Sequence, residues 1–143
     1  MRHHTIYGLT IAGLIPFCIG TLYELAPEVL PPWNWISLIT PYYGAVILTF
    51  LGGIQWGLSL LQTDTSTPKW LIVSNVIALT AFASLLLPSR TMTLVILLIG
   101  YGVALAADLR LFQLVTPPFG YRNLRVTITI IVCGLLLTNI ISS

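Results

Sequence analysis

Five long apolar runs dominate the chain, and prolines or short polar stretches separate them. Each run is close to the roughly 20 residues that a helix needs to cross a bilayer. A helix satisfies its own backbone polar groups, which the hydrocarbon interior requires. The pattern therefore predicts an all-α bundle of five transmembrane helices, at Ile6–Tyr23, Tyr42–Leu61, Trp70–Leu87, Met92–Phe112 and Leu124–Ile141.

The separators are typical helix breakers. They leave no stretch long enough for a soluble domain, so residues 1–143 are predicted to form a single transmembrane domain. The separators are the prolines 27, 31 and 32, the polar stretch Thr63–Pro68, the pair Pro88 and Ser89, and the stretch Thr116–Gly120.

Composition supports a membrane location. Hydrophobic residues make up 57% and charged residues 7% of the 143 residues, whereas roughly 45 to 50% and about 25% are usual in soluble domains. Such a chain has too little polar surface to cover its core in water. Membrane lipids are its expected surroundings, and nothing in its charge pattern suggests binding to nucleic acid.

The basic residues predict the orientation. Five spans place the N-terminus, the second connection and the fourth connection on one side of the membrane, and only Arg90 falls on the other side. By the positive-inside rule, the N-terminus lies inside and the C-terminus outside. The basic residues on the inner side are Arg2, Lys69, Arg110, Arg122 and Arg125.

The first span reads as a retained helix, because no small-residue cleavage site follows its apolar part. A transit extension rich in arginine and serine is also not seen. These features favour a bacterial inner membrane, with the mitochondrial inner membrane as the alternative.

The second span is the most unusual segment, because Tyr42–Gly57 contains four glycines, at positions 44, 52, 53 and 57. At about 100° per residue, one face carries Thr49, Gly52, Gly53, Trp56 and Leu60. Gly53 and Gly57 are four apart, and small residues at this spacing allow close approach of helices, which favours packing against another span. The alternative is a slot for a flat ligand such as a quinone or a lipid tail, with Trp56 as a wall and Gln55 as a hydrogen-bonding group.

Charged residues gather where the fourth span ends and the fifth begins. Asp108, Arg110, Arg122 and Arg125 should meet at the inner surface. A rim facing lipid phosphates is one interpretation. A fixed pair of Asp108 with Arg125 and a site for an anionic ligand or a partner are the others.

Candidate catalytic chemistry is sparse. His3 and His4 are adjacent but have no further histidines to complete a metal site. Cys18 and Cys133 lie within apolar spans, where a thiol usually serves packing. We therefore expect no catalytic residue, no metal and no cofactor, and do not expect an enzyme.

The run YGAVILTFLGGIQWG at 43–57 resembles the signature of the transmembrane-protein-69-like family, small membrane proteins of unknown function in proteobacteria and mitochondria. GLIPF at 13–17, Asp108 and the pattern Tyr121-x-x-Leu124-Arg125-x-x-Ile128-Thr129 are similar to it as well. The resemblance covers nearly the whole chain. It implies a membrane location but no reaction.

Two functions fit these observations. An accessory or assembly subunit of a larger membrane complex is favoured, because the chain is small and no buried ionisable group is expected. Other membrane subunits would then be its partners. The alternative is a carrier or binder of a hydrophobic small molecule, in a cavity between the second, third and fifth spans lined by Gln55, Trp56 and Asn75.

Overall fold

The computed structural model describes residues 2–61, 67–117 and 120–142. Within these ranges all regular structure is helical, which confirms the predicted all-α class. The elements are α1 (Arg2–Ala12), α2 (Ile15–Leu25), a short 3₁₀ helix (Ile36–Leu38), α3 (Ile39–Leu60), α4 (Thr67–Ser84), α5 (Arg90–Leu114) and α6 (Tyr121–Ile141). Of the predicted breaks, residues 63–66 and 118–119 lie outside the described residues, as does the side chain of Arg2.

Four described segments are long and apolar enough to cross a membrane. They correspond to the first, second, fourth and fifth predicted spans. α4, with 18 residues, corresponds to the third predicted span. It ends at Ser84, because the next three residues, Leu85, Leu86 and Leu87, form turns whose N–H groups bond to carbonyls three residues earlier rather than four. The four segments are His4–Leu25, Ile36–Leu60, Arg90–Leu114 and Tyr121–Ile141.

The first span is broken rather than continuous. α1 ends at Ala12 and α2 begins at Ile15, and Pro16 stands in the first turn of α2. Proline has no N–H to donate to the carbonyl four residues earlier, and its ring clashes with that carbonyl. The carbonyl in question belongs to Ala12, where α1 ends. The predicted span Ile6–Tyr23 is thus two helices in series.

Close packing of α3 on α4 depends on Gly52. A Cβ atom at this position would lie 2.9 Å from the backbone oxygen of Ser74 on α4. Gly53 and Gly57, in contrast, have nothing within 4 Å of such an atom, and Thr49 is exposed like them. The expectation that Gly53 and Gly57 make the close contact is wrong for contacts within the chain. Adjacent positions on a helix point about 100° apart. Of the neighbours Gly52 and Gly53, only Gly52 therefore faces α4.

α3 also packs closely on α5. A Cβ atom at Gly44 would lie 3.2 Å from Leu97, and one at Gly100 would overlap Leu48. The hydroxyl of Tyr101 donates a hydrogen bond of 2.9 Å to the carbonyl of Gly44. Gly44, predicted as a packing residue, is therefore at the centre of the bundle.

A polar network joins the helix ends on the side opposite the loop between α5 and α6. Arg90 forms an ion pair of 2.8 Å with Glu24. It also donates hydrogen bonds to the carbonyl of Ser37 and to Asn139, and Asn139 donates to Thr21. This network around Arg90 fixes α2, α5 and α6 to the 3₁₀ helix that precedes α3.

We predict that Gly52→Ala destabilises the protein by roughly 1 to 3 kcal/mol, the usual cost of overpacking. The added methyl group would lie against the backbone oxygen of Ser74 on α4. A backbone atom cannot rotate aside as the end of a side chain can. Gly53→Ala is the matched control on the same helix, and it should be neutral or slightly stabilising, because glycine within a helix costs roughly 0.5 to 1 kcal/mol. Thermal unfolding of both purified variants in one detergent measures the difference. Equal melting temperatures would contradict the assigned contact.

A buried ion pair beside an apolar cavity: the candidate functional site

Asp108 and Arg125 form an ion pair inside the bundle. Nε of Arg125 donates to Oδ2 of Asp108 at 2.6 Å. The two residues are only 3% and 7% exposed. The sequence left three interpretations open for the charged residues between α5 and α6. For Asp108 and Arg125, the structure shows the fixed pair.

Gln55 completes the coordination of the carboxylate from a third helix. Its Nε2 donates to Oδ1 of Asp108 at 2.8 Å and to the carbonyl of Ala104 at 2.9 Å. Both neighbours are acceptors, so the amide must present its nitrogen here rather than its oxygen. The backbone of Gln55 in turn accepts from Ser59. Asp108 therefore joins α5 to both α3 and α6.

Arg125 has donors beyond those that Asp108 accepts. Its Nη1 donates to Oγ1 of Thr129, one turn later on α6, and Thr129 donates to the carbonyl of Arg125. Nη2 is buried and has no hydrogen-bond partner among the described residues. A guanidinium carries five N–H donors, so this site keeps unused donor capacity.

The pair lies inside its helices and not at their ends. Asp108 is six residues before the end of α5, which is about 9 Å at about 1.5 Å per residue. Charged groups in a membrane are costly unless they are paired and face the bundle interior. The expectation that this chain has no buried ionisable group is therefore wrong, because pairing across the helical hairpin lets both charges leave the surface.

An apolar cavity of about 360 Å³ reaches this site. Arg125 and Thr129 line one part of it, together with Tyr101 and Tyr121. The rest of the wall is almost entirely aliphatic or aromatic and comes from α1, α2, α3 and α6. A cavity with apolar walls and a few polar groups in one part is the usual form of a small-molecule site.

The cavity opens on the lipid-facing surface between α1 and α3. Leu9 on α1 and Phe50 on α3 both line it, and they are 71% and 62% exposed. Deeper residues such as Phe17 and Val132 are buried. A molecule dissolved in the bilayer could therefore enter from the side, between the two helices.

The ligand slot predicted from sequence is not formed. Trp56 is 44% exposed on the outside of the bundle. Asn75 is exposed on α4, where its amide bonds back to the carbonyl of Leu71. Gln55 faces inward, and its amide nitrogen is hydrogen-bonded to Asp108. The three residues point in different directions, and the cavity lies on the other side of α3, against α1, α2 and α6.

The four charged residues predicted to form one cluster fall into two groups. Arg110 and Arg122 are exposed, whereas Asp108 and Arg125 are buried. Two exposed arginines at this end fit the predicted lipid-facing rim, since long basic side chains extend to the phosphate layer.

Several site residues were missed in the sequence. Tyr101 was not singled out, although a tyrosine in the middle of an apolar span needs a partner for its hydroxyl. The pair of Glu24 with Arg90 had a visible signal, because the predicted topology puts both charges on the outer side. The contact of Gln55 with Asp108 had none, since 53 residues separate them.

Helices of membrane length, a lipid-facing exterior and a buried ion pair together define a helical integral membrane protein. A family model described as "Protein of unknown function (DUF3429)" matches residues 2–141. The chain belongs to this family.

Two curated relatives are named transmembrane protein 69. The protein of Xenopus tropicalis is 34% identical over 138 residues, which cover 94% of this chain and 53% of the relative. The protein of Mus musculus is 32% identical over 126 residues, or 86% of this chain and 50% of the relative. The chain thus spans about half the length of these relatives, and the resemblance to their family is confirmed. No solved structure matches the chain.

We predict strong coupling between Asp108 and Arg125. Asp108→Asn and Arg125→Gln should each be destabilising, because each leaves a buried charge without its partner. The double variant should be more stable than the sum of the single effects implies, by roughly 0.5 to 3 kcal/mol. A double-mutant cycle of unfolding in detergent measures this coupling, with Arg122→Gln replacing Arg125→Gln as the exposed control. Additive effects in the first cycle would argue against a structural pair.

Proposed function

We propose that this protein is a non-catalytic integral membrane protein that binds a hydrophobic small molecule, a quinone or a lipid, inside its helical bundle. The cavity that extends from the lipid-facing surface to Arg125 carries this proposal. Its volume of about 360 Å³ lies in the range of roughly 300 to 1,000 Å³ that is typical of ligand sites.

The sequence positions of the residues that line the cavity give further support. Three segments carry the family resemblance, and each contributes to the wall. Gly13, Leu14 and Phe17 come from the first of them. Residues 47, 50, 51 and 54 come from the second, and Tyr121, Leu124, Arg125, Ile128 and Thr129 come from the third.

An accessory or assembly subunit of a larger membrane complex is the second candidate. The observation in its favour is the outer face of α3, where Gly53 and Gly57 have open space beside them and Thr49 and Trp56 are exposed. Small residues let the backbone of another helix approach closely. Another membrane subunit would be the partner on this face.

We also propose that α4 crosses the membrane, which gives five spans. Its 18 residues would extend about 27 Å at about 1.5 Å per residue, close to the roughly 30 Å of a hydrocarbon core. α4 packs along α3 and α5, both long enough to span. The basic residues then favour an inner N-terminus and an outer C-terminus. A bacterial inner membrane is the proposed location, with the mitochondrial inner membrane as the alternative.

We predict that Ile54→Phe, which fills the cavity, removes a small molecule that co-purifies with the protein. Ile54 lines the cavity and is half-buried, so a phenyl ring at this position would take up cavity space that a ligand needs. Ile72→Phe on the exposed surface of α4 is the control. The measurement is mass spectrometry of lipids, quinones and proteins after affinity purification in mild detergent.

The same experiment separates the two candidates. A bound small molecule that is lost from Ile54→Phe and kept in Ile72→Phe supports the binder. Stoichiometric protein partners, with the same small molecules on both variants, would support the accessory subunit and contradict the binder.

The topology is tested with single cysteines. After Cys18 and Cys133 are replaced by alanine, Leu87→Cys should react with an impermeant thiol reagent added from outside, since it follows the end of α4. A reporter fused after Ser143 should also be outside, and one fused before Met1 should be inside. Labelling of Leu87→Cys only after the membrane is opened would contradict five spans with an inner N-terminus.

A further inference from the structure

We propose that the molecule in the cavity is an amphiphile with an uncharged carbonyl head group, and that Nη2 of Arg125 donates a hydrogen bond to the carbonyl oxygen. This inference rests on the proposed function, since it assigns the chemistry of the ligand. The shared chemistry of the candidates is a carbonyl acceptor on a linear apolar tail. A quinone and an ester-linked acyl chain both have it.

The first step of the argument is the unused donor. Arg125 lines the cavity, its Nε and Nη1 are engaged by Asp108 and Thr129, and its Nη2 is buried without a partner in the described residues. A buried N–H that lacks an acceptor is unfavourable. An acceptor atom at this end of the cavity would satisfy it.

Three of the four side-chain hydroxyl groups of the wall already donate their proton. Thr10 donates to the carbonyl of Ile6, Tyr101 donates to the carbonyl of Gly44, and Thr129 donates to the carbonyl of Arg125. A hydroxyl has one proton to donate, so each of these three is used. The fourth hydroxyl, of Tyr121, is not among the buried atoms of the described residues that lack a partner, whereas Nη2 of Arg125 is. Arg125 therefore carries the buried donor that a ligand would satisfy.

The charge of the site selects an uncharged head group. Asp108 already pairs with Arg125, so the two charges cancel. A carboxylate or phosphate in the cavity would bring an uncompensated negative charge into apolar surroundings, which is strongly unfavourable. A carbonyl accepts the hydrogen bond without adding a charge.

The experiment compares three probes that each carry a ten-carbon chain. They are a benzoquinone with a ten-carbon tail, the methyl ester of decanoic acid, and decanoate. Binding of each to the purified, delipidated full chain in nanodiscs is measured by thermal shift and native mass spectrometry. The quinone or the ester should bind at least about tenfold more tightly than decanoate, and the better of the two identifies the source of the carbonyl.

Arg125→Lys tests the assigned donor. Lysine keeps the positive charge beside Asp108 but has no planar fork of donors. Loss of a hydrogen bond from a charged donor should weaken binding of the preferred probe by about tenfold or more. Arg122→Lys, at an exposed arginine on the same helix, should bind like the unmodified protein.

If Arg125→Lys does not fold, infrared spectroscopy of the probe bound to the unmodified protein tests the same hydrogen bond. The stretching band of a ¹³C-labelled carbonyl in the bound probe should move to lower frequency than in the empty-nanodisc control, because a donated hydrogen bond weakens the C=O bond. An unshifted band would overturn the assignment of Arg125 as the donor.

The outcomes distinguish this inference from the proposed function. Tighter binding of decanoate than of the neutral probes would overturn the uncharged head group. Unchanged binding in Arg125→Lys together with lost binding in Ile54→Phe would also overturn it, while the cavity would remain the binding site. Binding of no probe to the unmodified protein, or equal binding to Ile54→Phe, would overturn both.

Discussion

The carboxylate of Asp108 is the constraint on which this end of the molecule depends. A charged oxygen inside a membrane must be neutralised and hydrogen-bonded, and here Gln55 supplies an amide from α3 while Arg125 supplies a guanidinium from α6. These contacts fix three helices relative to one another in depth as well as in rotation. Apolar packing alone specifies neither so strictly, because the surrounding lipid tails are as apolar as the helices.

The network around Arg90 and Glu24 does the same at the opposite end. Between the two polar ends the bundle is held by aliphatic and aromatic contacts, such as the edge-to-face rings of Phe17 with Tyr43 and Tyr101. The cavity lies in this apolar region and reaches the ion pair at Arg125. Its shape therefore follows from helices that are fixed elsewhere, and a ligand need not hold the bundle together.

The four segments of membrane length could be predicted from sequence because lipid imposes a length and a composition that local runs reveal directly. The pairing of Asp108 with Arg125 was predicted as one of three interpretations, since one short loop brings α5 and α6 together. Rotation about a helix axis was harder to predict. Gly52 and Gly53 are adjacent, but only contact with Ser74 decides which of them matters.

The cavity could not be predicted for a related reason. It requires the break before Pro16, the direction in which Gln55 faces, and space left between side chains from four helices. Pro16 signals the break locally, but the direction in which Gln55 faces and the space between the helices depend on tertiary packing and are not encoded over a short window. The sequence placed the polar ligand contact at Gln55 on α3, whereas the structure places the available donor on α6, at Arg125.

The interruption between α1 and α2 separates two mechanical properties of the molecule. α2 is attached to the bundle through Glu24 and Thr21, beyond the break, while α1 forms one side of the cavity mouth. A tilt of α1 about Gly13 and Leu14 would widen that mouth without stretching a bond of the Arg90 network. For the proposed ligand, the rate of exchange with the bilayer would thus be set by α1, independently of the energy that keeps the remaining helices assembled.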